Sequence, residues 1–338
     1  MKKALTFDDV ALVPQYNNVP SRTEPSLKTW MTKDSKIDVP VLAANMDTVI
    51  SRELADVLIE NGVYPIFHRF DTDDNLIKVA QDYNEVCYMS IGMNTEENIL
   101  EAYSKIGVRG VCIDIAHGHD KRMLELIQHL KTKYSFEVIA GNVCTAGGYI
   151  DLVHSGADAV KVGIGPGAAC TTRMVTGFGV PQFSAILDCA NEAKKYGVPI
   201  IADGGIRGSA DIAKALAAGA TCVMMGKIFA LTKESGAEKK RVDFSKHVYE
   251  IHAKYRGQAS KDFQEDFKGG LKEGTVAEGE AFWAEITGSA QSVIDELTGG
   301  LRSAFTYAGA RHIDEFQRKV QWVEVSNSYQ SESNIRTK

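Results

Sequence analysis

The 338-residue chain has no apolar run approaching the roughly 20 residues a membrane span needs. Its first residues, Met-Lys-Lys-Ala-Leu-Thr-Phe-Asp-Asp, hold no apolar core of signal-peptide length. No membrane partner is expected on that reading, and a cytoplasmic address follows by default. Basic blocks are missing too, apart from the triplet Lys239-Lys240-Arg241, and the net charge is -6 with a pI near 5.8. That balance argues against a nucleic-acid partner. The cysteines, at 87, 112, 144, 170, 189 and 222, show no Cys-x-x-Cys spacing, and no histidine pair stands at metal-finger distance. Neither zinc nor a disulfide framework is indicated. Five of the six lie in or beside apolar runs or on a predicted helix and read as packing residues. Cys170 lies in a glycine-rich loop instead.

From residue 39 onward a pattern repeats: a short apolar run, a turn carrying Gly, Asn or Asp, then an amphipathic stretch of helical period. Strands are predicted over 40–43, 64–68, 86–91, 111–115, 137–140, 159–163, 199–202 and 222–225, and helices follow them, as over 52–60, 120–134 and 209–218. Eight strands with alternating helices predict an α/β protein, a single (β/α)8 TIM barrel. The segments 156–163 and 219–226 share a Gly-Ala-x-x-Val-x-x-Gly passage, the weak internal repetition such a barrel supplies. A doubly wound open sheet is the rival; it would gather chemistry at one crevice, whereas polar residues here follow many successive strands. Residues 1–38 are polar and irregular and read as an N-terminal arm. The polar, charged segment 232–288 interrupts the passage from the eighth strand to helical spacing at 290–297. An insertion of that length reads as a mobile flap, or else as a tolerated surface loop. The polar tail, 321–338, reads as frayed or used in subunit contacts.

In a β/α barrel the C-terminal ends of the strands build the site. Asn45 and Asp47, His68 and Arg69, residues 114–119, Asn142, residues 165–172, 203–205 and 226–227 then ring one mouth. Asp203-Gly204-Gly205 and Gly226 follow the seventh and eighth runs, where barrels often hold a phosphate on main-chain amides. A tight turn explains either cluster alone. The Gly163-x-Gly-x-Gly167 series is not a dinucleotide fingerprint, because the spacing is wrong and Pro166 opens no helix. Cys170 is either a nucleophile among exposed amides, with Arg173 close in sequence, or a small loop-filling residue. Thr172 relays a proton or caps the following turn. Glu278 is a proton carrier or a solvated charge on the insertion.

At Gly163-Ile-Gly-Pro-Gly-Ala-Ala-Cys170-Thr-Thr-Arg173 the sequence resembles the IMP dehydrogenase and GMP reductase family, a likeness running from Leu5-Thr-Phe-Asp-Asp-Val10 to Gly299-Gly-Leu-Arg-Ser303. The resemblance implies a barrel enzyme, usually tetrameric, in which Cys170 forms a covalent thioimidate at C2 of a purine nucleotide. It also implies a monovalent cation, commonly K+, on main-chain oxygens of Gly165, Gly167 and Cys170 with Arg173 nearby. Substrate contacts carry over to Asn45, Asp203, Gly204, Gly205, Gly226, Lys227, Tyr255, Gly257, Gln258 and Gly279. Lys227 and Gln258 stand where the family usually has Ser or Gly and Met. Nicotinamide cofactor contacts carry over to Arg69, Asp114, Ile115 and Ala116 and, from a neighbouring subunit, to Ser21, Arg22, Ser303, Ala304, Phe305 and Thr306.

Within that family the resemblance is greatest to GMP reductase, which implies NADPH as cofactor, GMP and IMP as the nucleotide pair, and catalytic Cys170, Thr172 and Glu278. Only a short helix separates His68 from residue 86, where dehydrogenases normally carry a tandem regulatory (CBS) module. Ala43-Ala-Asn45-Met-Asp-Thr-Val49 has the reductase form, the spacing from Tyr255 to Gly279 matches the reductases, and the Arg-Tyr pair that activates water in dehydrogenases has no clear counterpart. Against this, Ile113-Asp-Ile-Ala-His-Gly-His119 and Arg256 look dehydrogenase-like. An IMP dehydrogenase without the regulatory module, turning IMP and NAD+ into XMP, is the alternative. The departures at Lys227 and Gln258 leave a non-catalytic nucleotide-binding barrel as a third.

Overall fold

A computed structural model of the chain describes residues 3–245, 248–326 and 328–333. Eight short strands form one parallel sheet: Val41–Ala43, Ile66–Phe67, Tyr88–Ile91, Gly110–Asp114, Glu137–Val143, Ala159–Val162, Ile200–Asp203 and Cys222–Met225. Their pairing order is 1-8-7-6-5-4-3-2, so the last strand lies against the first, with Val223 opposite Val41 and Met225 opposite Ala43. Just past strand one, Asn45 Nδ2 donates to Ser90 Oγ of strand three at 2.8 Å. This is the expected (β/α)8 barrel.

The strands are nearly continuous runs of Val, Ile, Ala and Met because both faces are covered, by the barrel interior and by the helices outside. Exposure begins at the C-terminal ends, at Asp114 and Asp203. Helices start where the local chemistry dictates: Ser51, Thr72, Asp120 and Thr145 each accept a main-chain N–H with the side chain and cap the helices Arg52–Glu60, Asp73–Tyr83, Lys121–Lys133 and Ala146–His154. The final barrel helix, Ala290–Tyr307, runs through Gly299 and Gly300, well past the periodic stretch predicted over 290–297. Gly300 is a contact glycine, since a Cβ there would come within 2.2 Å of Ser209 Oγ on the helix Ser209–Ala217. The glycine pair weakens the periodic signal while permitting two helices to pack closely.

The arm and the tail are more ordered than their polarity predicts. Val10–Val13 pairs antiparallel with Gln321–Glu324, and Ser328–Ser333 is helical, so the fraying expected over 321–338 does not hold for 321–324. Residues 334–338 of that segment lie outside the described residues. The insertion at 232–288 is itself folded: Lys239–Ser245, Val248–Arg256 and Ala281–Glu285 make a three-stranded antiparallel sheet, with a helix at Lys261–Lys268 capped by Ser260. It is fixed to the barrel by Arg256, which is 7% exposed and donates through Nε and Nη2 to Asp47 Oδ2 at 2.9 and 2.7 Å, and through Nη1 to Asp266.

Candidate active site

The sixth strand ends at Val162 and the chain enters the glycine loop with Gly163 at φ +148° and Gly165 at φ +87°. At Gly163 a Cβ would fall 2.1 Å from the carbonyl oxygen of Asp203, so only glycine lets this loop lie against the end of strand seven. Cys170 N donates to the carbonyl of Gly167 at 3.0 Å, closing a tight turn that presents a half-buried thiol. Cys170 Sγ lies 3.3 Å from Thr172 Oγ1. Across from it the insertion lays down a short strand-like segment: Thr171 N donates to Glu278 O at 3.0 Å, Glu280 N donates to Ala169 O at 2.9 Å, and Cys170 and Gly279 form an antiparallel bridge. The structure thus brings Cys170, Thr172 and Glu278 to one place.

Behind the loop is a charged network that composition alone does not announce. Asp203 Oδ2 accepts from Asn142 Nδ2 at 2.9 Å and from Lys161 Nζ at 3.2 Å. Lys161 is 3% exposed, and its ammonium also lies 3.5 Å from Asn45 Oδ1 and 4.0 Å from Asp114 Oδ1. Burial by itself pulls the lysine's pKa down, but Asp203 and Asp114 more than offset it and hold the pKa above the ordinary value. Asp114 faces Arg69, with Nε 3.9 Å from Oδ2, and Arg69 Nη2 reaches the Asp114 carbonyl at 3.5 Å. Lys161 was absent from the sequence-derived site residues. Its signal was available: it is a single charge inside the otherwise apolar buried strand Ala159–Val162.

Around Asp203 gather the residues assigned to the nucleotide. Gly204 and Gly205 have φ of +91° and +78° and pack on Pro166, which joins the loops after strands six and seven. Gly226 faces Tyr255, whose hydroxyl would lie 2.6 Å from any Cβ there. Burial pushes the Tyr255 phenol above its usual pKa, so it remains a donor at neutral pH. Gly257 and Gly279 both approach the Ala169 carbonyl, where a Cβ would sit at 3.0 and 3.1 Å. Lys227 is exposed, with Nζ 5.4 Å from the centroid of the Phe282 ring. Gln258 Nε2 donates to Asn45 O at 3.0 Å. The Asn45 side chain is buried and engaged by Ser90 and Lys161, so it forms part of the site's inner wall.

The residues expected at the cofactor fall into two groups. Arg69, Asp114, Ile115 and Ala116 border the charged network, with Ile115 O accepting from Asn142 N. Arg22 and Thr306 line a separate cavity of about 400 Å³ beside Pro14 and Tyr307. Ser21 Oγ is 2.8 Å from Thr23 Oγ1, and Thr306 Oγ1 donates to Ser303 O. Ala304 borders an apolar cavity with Leu12 and Phe316. Phe305 is fully buried and stacks on Phe316 with centroids 4.5 Å apart, so its ring belongs to the core and is not offered to a ligand.

At the expected cation loop, Arg173 Nη2 donates to the carbonyl oxygens of Val180 at 2.6 Å and Ile164 at 3.4 Å. Its side chain occupies the space that Gly165 and Gly179 leave open by lacking a Cβ. A guanidinium cannot ligate a cation, so the side chain of Arg173 shapes the loop, while carbonyl oxygens such as those of Gly165 and Gly167 are the hard donors a monovalent cation takes. Among the described residues no cluster of three or more His, Cys, Asp and Glu side chains could hold a metal ion, and no helix is long and apolar enough to cross a membrane.

The family model described as IMP dehydrogenase / GMP reductase domain matches residues 4–336. The chain is 39% identical over 334 residues to the GMP reductase of Helicobacter pylori (strain G27), covering 96% of this chain and 98% of that protein. It is equally similar, 39% over 334 residues with the same coverage, to the GMP reductase of Enterococcus faecalis. To the inosine-5'-monophosphate dehydrogenase of Cryptosporidium parvum it is 34% identical over 383 residues, covering 98% of this chain and 95% of that one. The match spans the glycine loop that carries Cys170, the charged network and the folded insertion together, and the chain therefore belongs to the IMP dehydrogenase / GMP reductase family of oxidoreductases.

Proposed function

We propose that the protein is a GMP reductase that converts GMP to IMP and ammonia at the expense of NADPH. The observation that carries this reading is the docking of Glu278 beside the Cys170 loop, through Thr171 N and the Glu278 carbonyl, with Thr172 Oγ1 3.3 Å from the thiol. Cys170 Sγ adds to C2 of the guanine ring, and Thr172 and Glu278 hand a proton to the departing amino group, leaving a thioimidate. Covalent addition splits one difficult substitution into two easier steps. When bound, NADPH supplies the hydride that C2 takes up as the Cys170 bond breaks.

The chain's own residues bind and orient. Asp203, fixed by Asn142 and Lys161, accepts the ribose hydroxyls, and Gly204, Gly205, Gly226, Lys227 and Tyr255 enclose the phosphate. Arg69 and Asp114 face the dinucleotide, which a neighbouring subunit's Ser21, Arg22 and Ser303–Thr306 segment completes in a cytoplasmic homotetramer. Main-chain oxygens of Gly165, Gly167 and Cys170 would hold K+, and Arg173 holds their loop in shape.

Two further observations favour reduction over the dehydrogenase alternative. Hydrolysis of the thioimidate demands a group that activates water, and Arg256 in the insertion is committed to Asp47 and Asp266. The alignments to the GMP reductases run over 334 residues of a 338-residue chain, whereas that to the Cryptosporidium dehydrogenase extends over 383 and must be opened by gaps. The test is Cys170→Ala: NADPH oxidation in the presence of GMP should fall by about a thousandfold or more. A Cys170→Ala protein that still oxidised NADPH at the wild-type rate would reject the mechanism.

A further inference from the structure

Lys161, 3% exposed, has two carboxylates about one ammonium, Asp203 at 3.2 Å and Asp114 at 4.0 Å. A buried ion set is weak evidence for stability, because well-packed apolar side chains of similar volume often do as well or better. The surrounding barrel strands are apolar and would accept such a residue. Strands five and six approach closely at this point, since at Gly141 a Cβ would lie 2.7 Å from both the Lys161 Cβ and its carbonyl oxygen. Beyond Asp114 the line of charges continues to Arg69. There Arg69 Nε and Asp114 Oδ2, 3.9 Å apart, are both buried without a hydrogen bond, an ion pair left incompletely closed.

We infer that Lys161 is a positioning residue that couples the two ligand sites, serving as the shared counter-ion of Asp203 on the nucleotide side and Asp114 on the cofactor side. The inference rests on the ligand assignments of the proposed function. In the unliganded arrangement the ammonium is closer to Asp203. Ribose hydroxyls that donate to Asp203 satisfy its lone pairs and weaken its hold on Lys161. The ammonium then leans towards Asp114, whose charge is neutralised from that side, and Arg69 is released from its incomplete pair to meet the dinucleotide. Binding in either site alters the other through one charge, and by linkage the effect is reciprocal.

The test is calorimetric titration of NADP+ into the full-length protein with and without saturating IMP, a pair that needs no turnover. The wild type should show a change in NADP+ affinity of about fivefold to a hundredfold on IMP binding, the span usual for coupled sites. In Lys161→Met that factor should fall to within about twofold of unity, and Lys161→Arg should restore it, an outcome that simple loss of packing cannot produce. If Lys161→Met does not fold, Lys161→Gln, which keeps a polar head without the charge, carries the same measurement. Wild-type coupling retained in the neutral variant, even with a lowered melting temperature, overturns the inference, as does a wild type with no coupling. Wild-type turnover of GMP with NADPH is measured alongside. Its absence would reject the reductase reading and leave the coupling factor intact as a readout.

Discussion

Thr171 donates its main-chain N–H to the carbonyl of Glu278 at 3.0 Å, and this bond ties the inserted sheet to the loop that carries Cys170. The main chain at Glu278, from a segment remote in the chain, is thereby held against the loop that carries the thiol and Thr172. Two bonds flank it, Glu278 N to Ala259 O at 3.0 Å and Glu280 N to Ala169 O at 2.9 Å, so the placement is made by main chain and survives a change of side chain.

Glu278→Gln should therefore keep the geometry and lose only the proton transfer. Deamination of GMP is expected to slow by roughly a hundredfold or more, the usual yield of a placed acid or base. Hydride exchange between NADPH and C2 of IMP, which needs no leaving ammonia, should persist near the wild-type rate. Equal loss of both activities would remove Glu278 from its assigned step.

Arg256 is the side chain that fastens the insertion, and its neighbours differ. Asp47 is mostly buried and keeps Oδ1 without a hydrogen-bond partner, whereas the Asp266 side chain is 59% exposed. Arg256→Ala leaves Asp47 buried and unpaired, which costs about 3 kcal/mol or more, while Asp266→Ala removes an exposed partner worth about 1 kcal/mol or less. Hydrogen exchange across Val248–Arg256 should accelerate strongly in the first variant and little in the second. Similar protection in both would mean that the insertion is held elsewhere.

His68, at the end of strand two, gives the fold an acid-side sensitivity. Burial lowers its pKa below the ordinary imidazole value of 6.5, although Asp47, Asp71 and Asp114 pull the other way. The folded state keeps the imidazole neutral, with Nδ1 accepting from Phe70 N at 3.1 Å, while the unfolded chain takes up a proton below pH 6.5. Unfolded molecules bind more protons in that window, so stability present above pH 6.5 is lost as pH falls towards the folded pKa. Melting temperatures of the wild type and His68→Asn, compared at pH 8 and pH 5, should show a smaller acid-side drop in the variant. Equal drops would assign the acid sensitivity to other groups.

The barrel was legible because its strands are apolar runs separated by turn residues at helical intervals, and each run stayed within a few residues of its predicted bounds. Cys170 was legible from a single loop, where glycines cluster for reasons of close approach that the structure displays at Gly163. Lys161 was not, since a lysine in sequence does not disclose whether its ammonium faces water or a pair of carboxylates; that depends on Asp114 and Asp203 from other strands. The arm and tail misled for a similar reason. Val10–Val13 is apolar but only four residues long, Gln321–Glu324 is as short and mixed in polarity, and each becomes a strand only by pairing with the other. Side-chain surroundings at Asn45 and Phe305 were not legible either: the first is engaged by Ser90 and Lys161 and the second stacks on Phe316, contacts made with other segments of the chain.

Reduction rather than oxidation of the nucleotide is the central claim, and absorbance at the reduced-nicotinamide band tests it in one cuvette. With GMP and NADPH the purified protein should lose absorbance and release IMP and ammonia, and with IMP and NAD+ it should show no rise. A rise with IMP and NAD+, accompanied by XMP, and no change with GMP and NADPH, would contradict the account and make the chain an IMP dehydrogenase.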